Sequence, residues 1–176
     1  MKKLIIISLL ILTSVFAYSF IQSNQIFDLA KTQVSKYNPP RKDYVIVIDY
    51  TKPIFIDRLF VLDMKNNKVV LSCKVSHSFY SGILWPSNFS NVNESQKSCN
   101  GNFITGNIYY GKFGKSMNVF GMDKGINDNA SQRRIVFHSN KDMMTPWSSG
   151  CFATSEINNN LILNTCGNGC LVVVKN

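Results

Sequence analysis

A compact, mostly β single domain with one or two short helices is predicted by three features of this 176-residue chain. Apolar, β-branched runs recur from Tyr44 onward. A central stretch, residues 101 to 125, is rich in glycine and aromatics, the composition of turns and bulges joining strands. No repeat or linker divides the chain, and its length suits one domain with its own core.

The elements follow in order. SNQIFDLAKTQVSKY (23 to 37) puts Ile26, Leu29, Ala30 and Val34 on one helical face, with Ser23 or Asn24 as cap. Whether this helix packs on the domain or tethers it is open from sequence. NPPRK (38 to 42) breaks the chain. YVIVIDY (44 to 50) is a continuous apolar run suited to a strand buried on both faces. RLFVLD (58 to 63) and VVLSCKVS (69 to 76) alternate on either side of a Lys65–Lys68 turn, which predicts a hairpin. PSNFSNVNESQKSCN (86 to 100) is a long polar loop. RRIVFHS (133 to 139) is a strand ending at His138, and SEINNNLIL (155 to 163) is a helix capped by Ser155. GCLVVVK (169 to 175) is a closing strand.

The first residues, MKKLIIISLLILTSVFA, place two lysines before a short apolar run and a small residue at position 17. Residues 1–17 are therefore expected to be a secretory signal peptide, the run being too short to span a bilayer; an uncleaved anchor is the alternative. The chain is basic, with net charge +9. A basic exported domain meets anionic envelope polymers. The lysines are scattered and form no reader motif, so nucleic acid is not an expected partner. No stable membrane span is expected after cleavage.

Five cysteines remain: Cys73, Cys99, Cys151, Cys166 and Cys170. An odd count in an oxidising compartment leaves one unpaired. Cys166 and Cys170 can close a small loop disulfide; Cys73 and Cys99 can pair or lie buried as thiols. Cys151 then stands free, thirteen positions after one of only two histidines, His138. A thiol attacks as thiolate, and histidine is the usual proton acceptor near neutral pH. Gly150 lets the backbone bend tightly before Cys151, so that N–H groups around Ser149 and Gly150 can face a developing oxyanion. Spacing alone does not separate this reading from a structural His and Cys.

VFHS (136 to 139) followed by Ser148-Ser149-Gly150-Cys151 resembles the signature of the murein L,D-transpeptidase catalytic domain family (YkuD-type). RLFVLDMKNNKVVLSCKVSHSFYSG, FSNVNESQKS and the section from Ile104 to Ser139 resemble further parts of it in the same order, from about Tyr44 to Val174. The resemblance implies a β-sandwich-like fold with a cleft; with the signal expected at 1–17, the chain divides into signal (1–17), helix and linker (18–43) and catalytic domain (44–176). It implies Cys151 as nucleophile, His138 as general base, the Ser139 carbonyl as ring orienter, and Ser149 and Gly150 backbone at the oxyanion. It implies acyl transfer between peptidoglycan stem peptides with no cofactor and no metal, in the periplasm or outside the cell. An L,D-carboxypeptidase on the same scaffold and a non-catalytic wall-binding module are the rivals. Four departures stand out: glycine is usual at Ser139, an aromatic residue or histidine is often found at Ser149, no arginine lies two positions past Cys151, and the segment between His138 and Cys151 is short.

Ser148, His77, Tyr110 and Trp147 are further candidates for substrate contact. Against this, a histidine at a strand end is commonly hydrogen-bonded to a loop, and aromatics commonly pack a core or its rim. Asp123 and Asp128 can bind a cation or amine, but turn-capping is the ordinary use of such residues.

Overall fold

The computed structural model describes residues 24–140 and 145–176. The expected signal segment lies outside the described residues. Among the described residues there are ten strands: β1 (Arg41–Asp49), β2 (Leu59–Asp63), β3 (Lys68–Cys73), β4 (His77–Ser78), β5 (Gly101–Gly111), β6 (Gly114–Gly121), β7 (Val136–Ser139), β8 (Trp147–Ser148), β9 (Phe152–Thr154) and β10 (Cys170–Lys175). Helix α1 covers residues 24–37 and α2 runs Glu156–Cys166.

Eight strands form one sheet in the order β3-β2-β1-β10-β5-β6-β7-β9, while β4 and β8 pair separately. The β1/β10, β7/β9 and β4/β8 pairs are parallel and the rest antiparallel. The large sheet curls until its two edges meet. Just past β3, the Ser76 N–H donates to the Ala153 carbonyl on β9 at 2.9 Å, and the Ala153 N–H donates to Ser76 Oγ at 2.9 Å.

The curl encloses the main core. Ile46, Ile48, Val61, Phe103, Met117, Phe137, Phe152 and Val172 fill it, with Ile162, Leu163 and Cys166 of α2. A second core lies on the outer face, where Ile26, Phe27 and Ala30 of α1 cover Val45, Val47, Leu62, Leu171 and Val173. The alternate residues of β1 thus enter two different cores, which is why its sequence is apolar without interruption. The described part of α1 packs on the domain. Capping of α2 follows the sequence pattern, with Ser155 Oγ accepting from the Asn158 N–H at 3.3 Å.

The glycine-rich section differs from expectation. It forms one long hairpin, β5–β6, rather than several short strands, although a register shift between Thr105 and Ile108 supplies the bulge. Gly106 lies under the Phe120 ring, where a Cβ would come within 2.5 Å of it, so this glycine admits a close approach and does not end a strand.

Candidate active site

The parallel register of β7 and β9 pairs Phe137 with Phe152 and His138 with Ala153. Both phenylalanines point into the main core, their ring centroids 5.0 Å apart. Strand alternation therefore turns His138 to the opposite face, where Cys151 leads into β9 from the preceding turn. Residues thirteen apart in sequence are brought to one face of neighbouring strands.

The turn holding Cys151 is built by two serine hydroxyls. Ser148 Oγ donates to the Cys151 carbonyl at 2.8 Å and accepts the Gly150 N–H at 3.1 Å. Ser76 Oγ donates to the same carbonyl at 3.0 Å while accepting from Ala153. Gly150 has φ +114°, and a Cβ there would lie 2.8 Å from the Lys97 carbonyl oxygen, so both backbone and space demand glycine. Because Ser148 Oγ takes the Gly150 N–H, that group serves the turn in this arrangement.

The His138 side chain is largely buried, 7% exposed. Its Nδ1 lies 2.9 Å from the Ser139 carbonyl oxygen. A carbonyl can only accept, so Nδ1 carries the proton and Nε2 keeps its lone pair. Burial holds the pKa of His138 below the ordinary histidine value, partly offset by this hydrogen bond. The half-buried Cys151 thiol donates to the Arg134 carbonyl, with an S···O distance of 3.6 Å. Burial pushes its pKa up, countered by the Val136 N–H and the Arg133 guanidinium. No hydrogen bond joins Cys151 to His138. Both shifts favour the uncharged forms, a protonated thiol and a neutral imidazole.

The remaining candidates separate. His77 is 0% exposed and has both ring nitrogens engaged: Arg58 Nη2 donates to Nδ1 at 2.7 Å, and Nε2 donates to the Gly82 carbonyl at 2.9 Å. Its ring faces protein on every side. Trp147 is half-buried on β8, its indole N–H donating to the Ile83 carbonyl at 2.9 Å and its ring edge-on to Phe79. Tyr110 is 81% exposed on the β5–β6 hairpin. Cys166 and Cys170 stand as free thiols at the end of α2 and the start of β10, with Cys170 Sγ donating to the Cys166 carbonyl at 2.8 Å. Asp123 accepts from Tyr37 and the Asn102 N–H, and Asp128 from Asn91 and the Gly125 N–H.

Two site residues escaped the sequence reading. Ser76 bridges the sheet edges and the Cys151 turn; only its place beside His77 drew attention to it. Phe113, at the tip of the β5–β6 hairpin, stacks on the His138 ring at 4.3 Å between centroids. No spacing rule links positions 113 and 138.

A cleft of about 630 Å³ opens beyond the Ser76–Ala153 contact, between the two sheet edges. Ser72, Lys74 and Ser76 line one wall, Ala153, Thr154 and Asn158 the other, with Phe55 and Asp57 at the side. Cys151 and His138 are not among its lining residues, but Ser76 and Ala153 touch both the cleft and the Cys151 turn. Among the described residues there is no cluster of three or more metal-ligating side chains, and no helix is long and apolar enough to cross a membrane.

Three solved structures similar in fold are an L,D-transpeptidase from Mycobacterium smegmatis, one from Stackebrandtia nassauensis, and a variant of the helical cell shape determining protein Pgp2 from Campylobacter jejuni. Their identities to this chain are 12%, 13% and 13%, and their TM-scores 0.48, 0.47 and 0.52. They match 76%, 77% and 85% of this chain, which spans only 59%, 57% and 55% of theirs. No match is found among curated proteins. A family model described as the L,D-transpeptidase catalytic domain matches residues 21–174, α1 included. With that match running over nearly the whole chain, the protein belongs to the L,D-transpeptidase catalytic domain family.

Proposed function

We propose that this protein is an exported, cysteine-dependent L,D-transpeptidase that joins peptidoglycan stem peptides by 3-3 cross-links. The observation that carries the reading is the His138 ring, held by its Nδ1–H on the Ser139 carbonyl with Nε2 free, on the same face as Cys151 in the turn that leads into the adjoining strand. In this reading residues 1–17 direct export to the envelope, and residues 44–176 with the packed helix form the catalytic unit.

The chemistry follows from the protonation states. The Cys151 thiol turns from the Arg134 carbonyl toward Nε2, which takes its proton as Sγ attacks the carbonyl carbon of the third stem residue. The backbone N–H groups of Ser149 and Cys151 receive the developing oxyanion, the Gly150 N–H being held by Ser148 Oγ. The C–N bond to the terminal D-alanine breaks, and His138 returns the proton to the departing amine. An amine of a second stem then attacks the thioester as His138 Nε2 takes its proton, the C–S bond breaks, and that proton passes to the departing Cys151 thiolate as the cross-link forms. Burial lowers the His138 pKa and raises that of Cys151, which supports a neutral resting state activated by general-base transfer.

Mass spectrometry of the purified protein with disaccharide-tetrapeptide, beside Cys151→Ala, tests this. A cross-linked dimer lacking one D-alanine is the expected product. Monomeric tripeptide would establish the carboxypeptidase instead, and no product from an unreactive thiol would leave a wall-binding module.

A further inference from the structure

We propose that Phe113 is a positioning residue for His138, held over the imidazole by the Ser139 hydroxyl. The inference rests on the reading of His138 as the proton acceptor. The two rings lie 22° from parallel with centroids 4.3 Å apart, so the Phe113 π face covers one side of the imidazole. Phe113 itself is 46% exposed at a hairpin tip, where core packing does not explain its placement. What fixes it is Ser139, whose Oγ donates to the Phe113 carbonyl at 3.2 Å while its own carbonyl accepts from His138 Nδ1. One residue thus clamps the ring by its main chain and the ring's cover by its side chain.

Two consequences follow. The imidazole loses rotational freedom, which keeps Nε2 directed toward the nucleophile's face. When Nε2 takes the thiol proton, the resulting imidazolium sits against an aromatic face, which stabilises a cation. Leucine at 113 would keep the apolar cover and remove only the aromatic contribution.

The test uses the full chain and two readouts: alkylation of Cys151 by iodoacetamide at pH 7, and proton NMR titration of His138. His77, the other histidine, titrates near 4 and stays out of the window. Phe113→Leu should slow alkylation about two- to fivefold, the span of an exposed cation–π contact, and lower the His138 midpoint. Phe113→Tyr should restore both. Ser139→Gly, which retains the carbonyl, should act in the same direction and add little to Phe113→Leu in the double variant. Unchanged thermal unfolding would show that the hairpin survives. The proposal is overturned if Phe113→Leu matches the parent in rate and midpoint while His138→Ala slows alkylation. If His138→Ala leaves alkylation unchanged, the cysteine–histidine pairing fails, and the NMR titration alone decides the stack: an unmoved midpoint in Phe113→Leu overturns it.

Discussion

Acidification should destabilise this protein through His77, and the size of the effect can be worked from its surroundings. The ring is fully buried, and its Nδ1 accepts from Arg58, a guanidinium that is itself 0% exposed and cannot give up its charge. Arg58 also donates to the carbonyls of Val75 and Lys52 and lies 4.8 Å from the Tyr50 ring centroid, so it has no room to retreat. Burial first, and the Arg58 charge second, push the His77 pKa from 6.5 down to about 4. The unfolded chain takes up a proton below pH 6.5 that the folded chain refuses until about pH 4. Stability is therefore complete above pH 6.5 and falls as pH drops through this window. At about 1.4 kcal/mol per pH unit, the loss between pH 7 and pH 4 is about 3 kcal/mol. That is a large part of the roughly 5–15 kcal/mol of an ordinary domain. Urea unfolding at the two pH values, for the parent and for His77→Asn, measures it, since other titrating groups act alike in both. The parent should lose about 3 kcal/mol more than the variant. Equal pH dependence in the two proteins would mean that burial and Arg58 do not hold His77 neutral in the folded protein.

Two further outcomes follow from the Cys151 turn. Gly150→Ala forces a side chain into positive φ and against the Lys97 carbonyl, and should cost about 1–3 kcal/mol in denaturant unfolding. Ser76→Ala leaves the Ala153 N–H without its partner and withdraws one of two hydroxyls from the Cys151 carbonyl. It should lower stability by about 1–3 kcal/mol and change the Cys151 alkylation rate, whereas Ser72→Ala, on the exposed edge strand, should do neither.

Much of the architecture was legible because its causes are local. The uninterrupted apolar run of β1, the alternation of β3 and the serine cap of α2 each follow from side-chain periodicity or capping within a few residues. Strand β2, expected to alternate, is instead buried from Leu59 to Leu62, because its two faces enter the two cores. His138 at a strand end and glycine before Cys151 were likewise visible, since a positive φ in a tight turn selects glycine by itself. The long β5–β6 hairpin was misread as several short strands, because glycine marks close approach as readily as it marks a turn, and only Phe120 across the ladder distinguishes the two.

The sequence by itself determined β1, β2, β3, β7 and β10, the two helices and the residue types able to carry acyl transfer. What only the tertiary structure decided is which partners each polar group meets. His77 and His138 are both strand histidines in sequence. The curled sheet seals one against a buried arginine and leaves the other with a free nitrogen beside a thiol-bearing turn. Ser76 reaches the Cys151 turn across 75 residues, and Phe113 reaches His138 from a separate hairpin. Hydrogen bonds and ring contacts act over a few ångströms, so they respond to where the sheet edges close and not to distance along the chain.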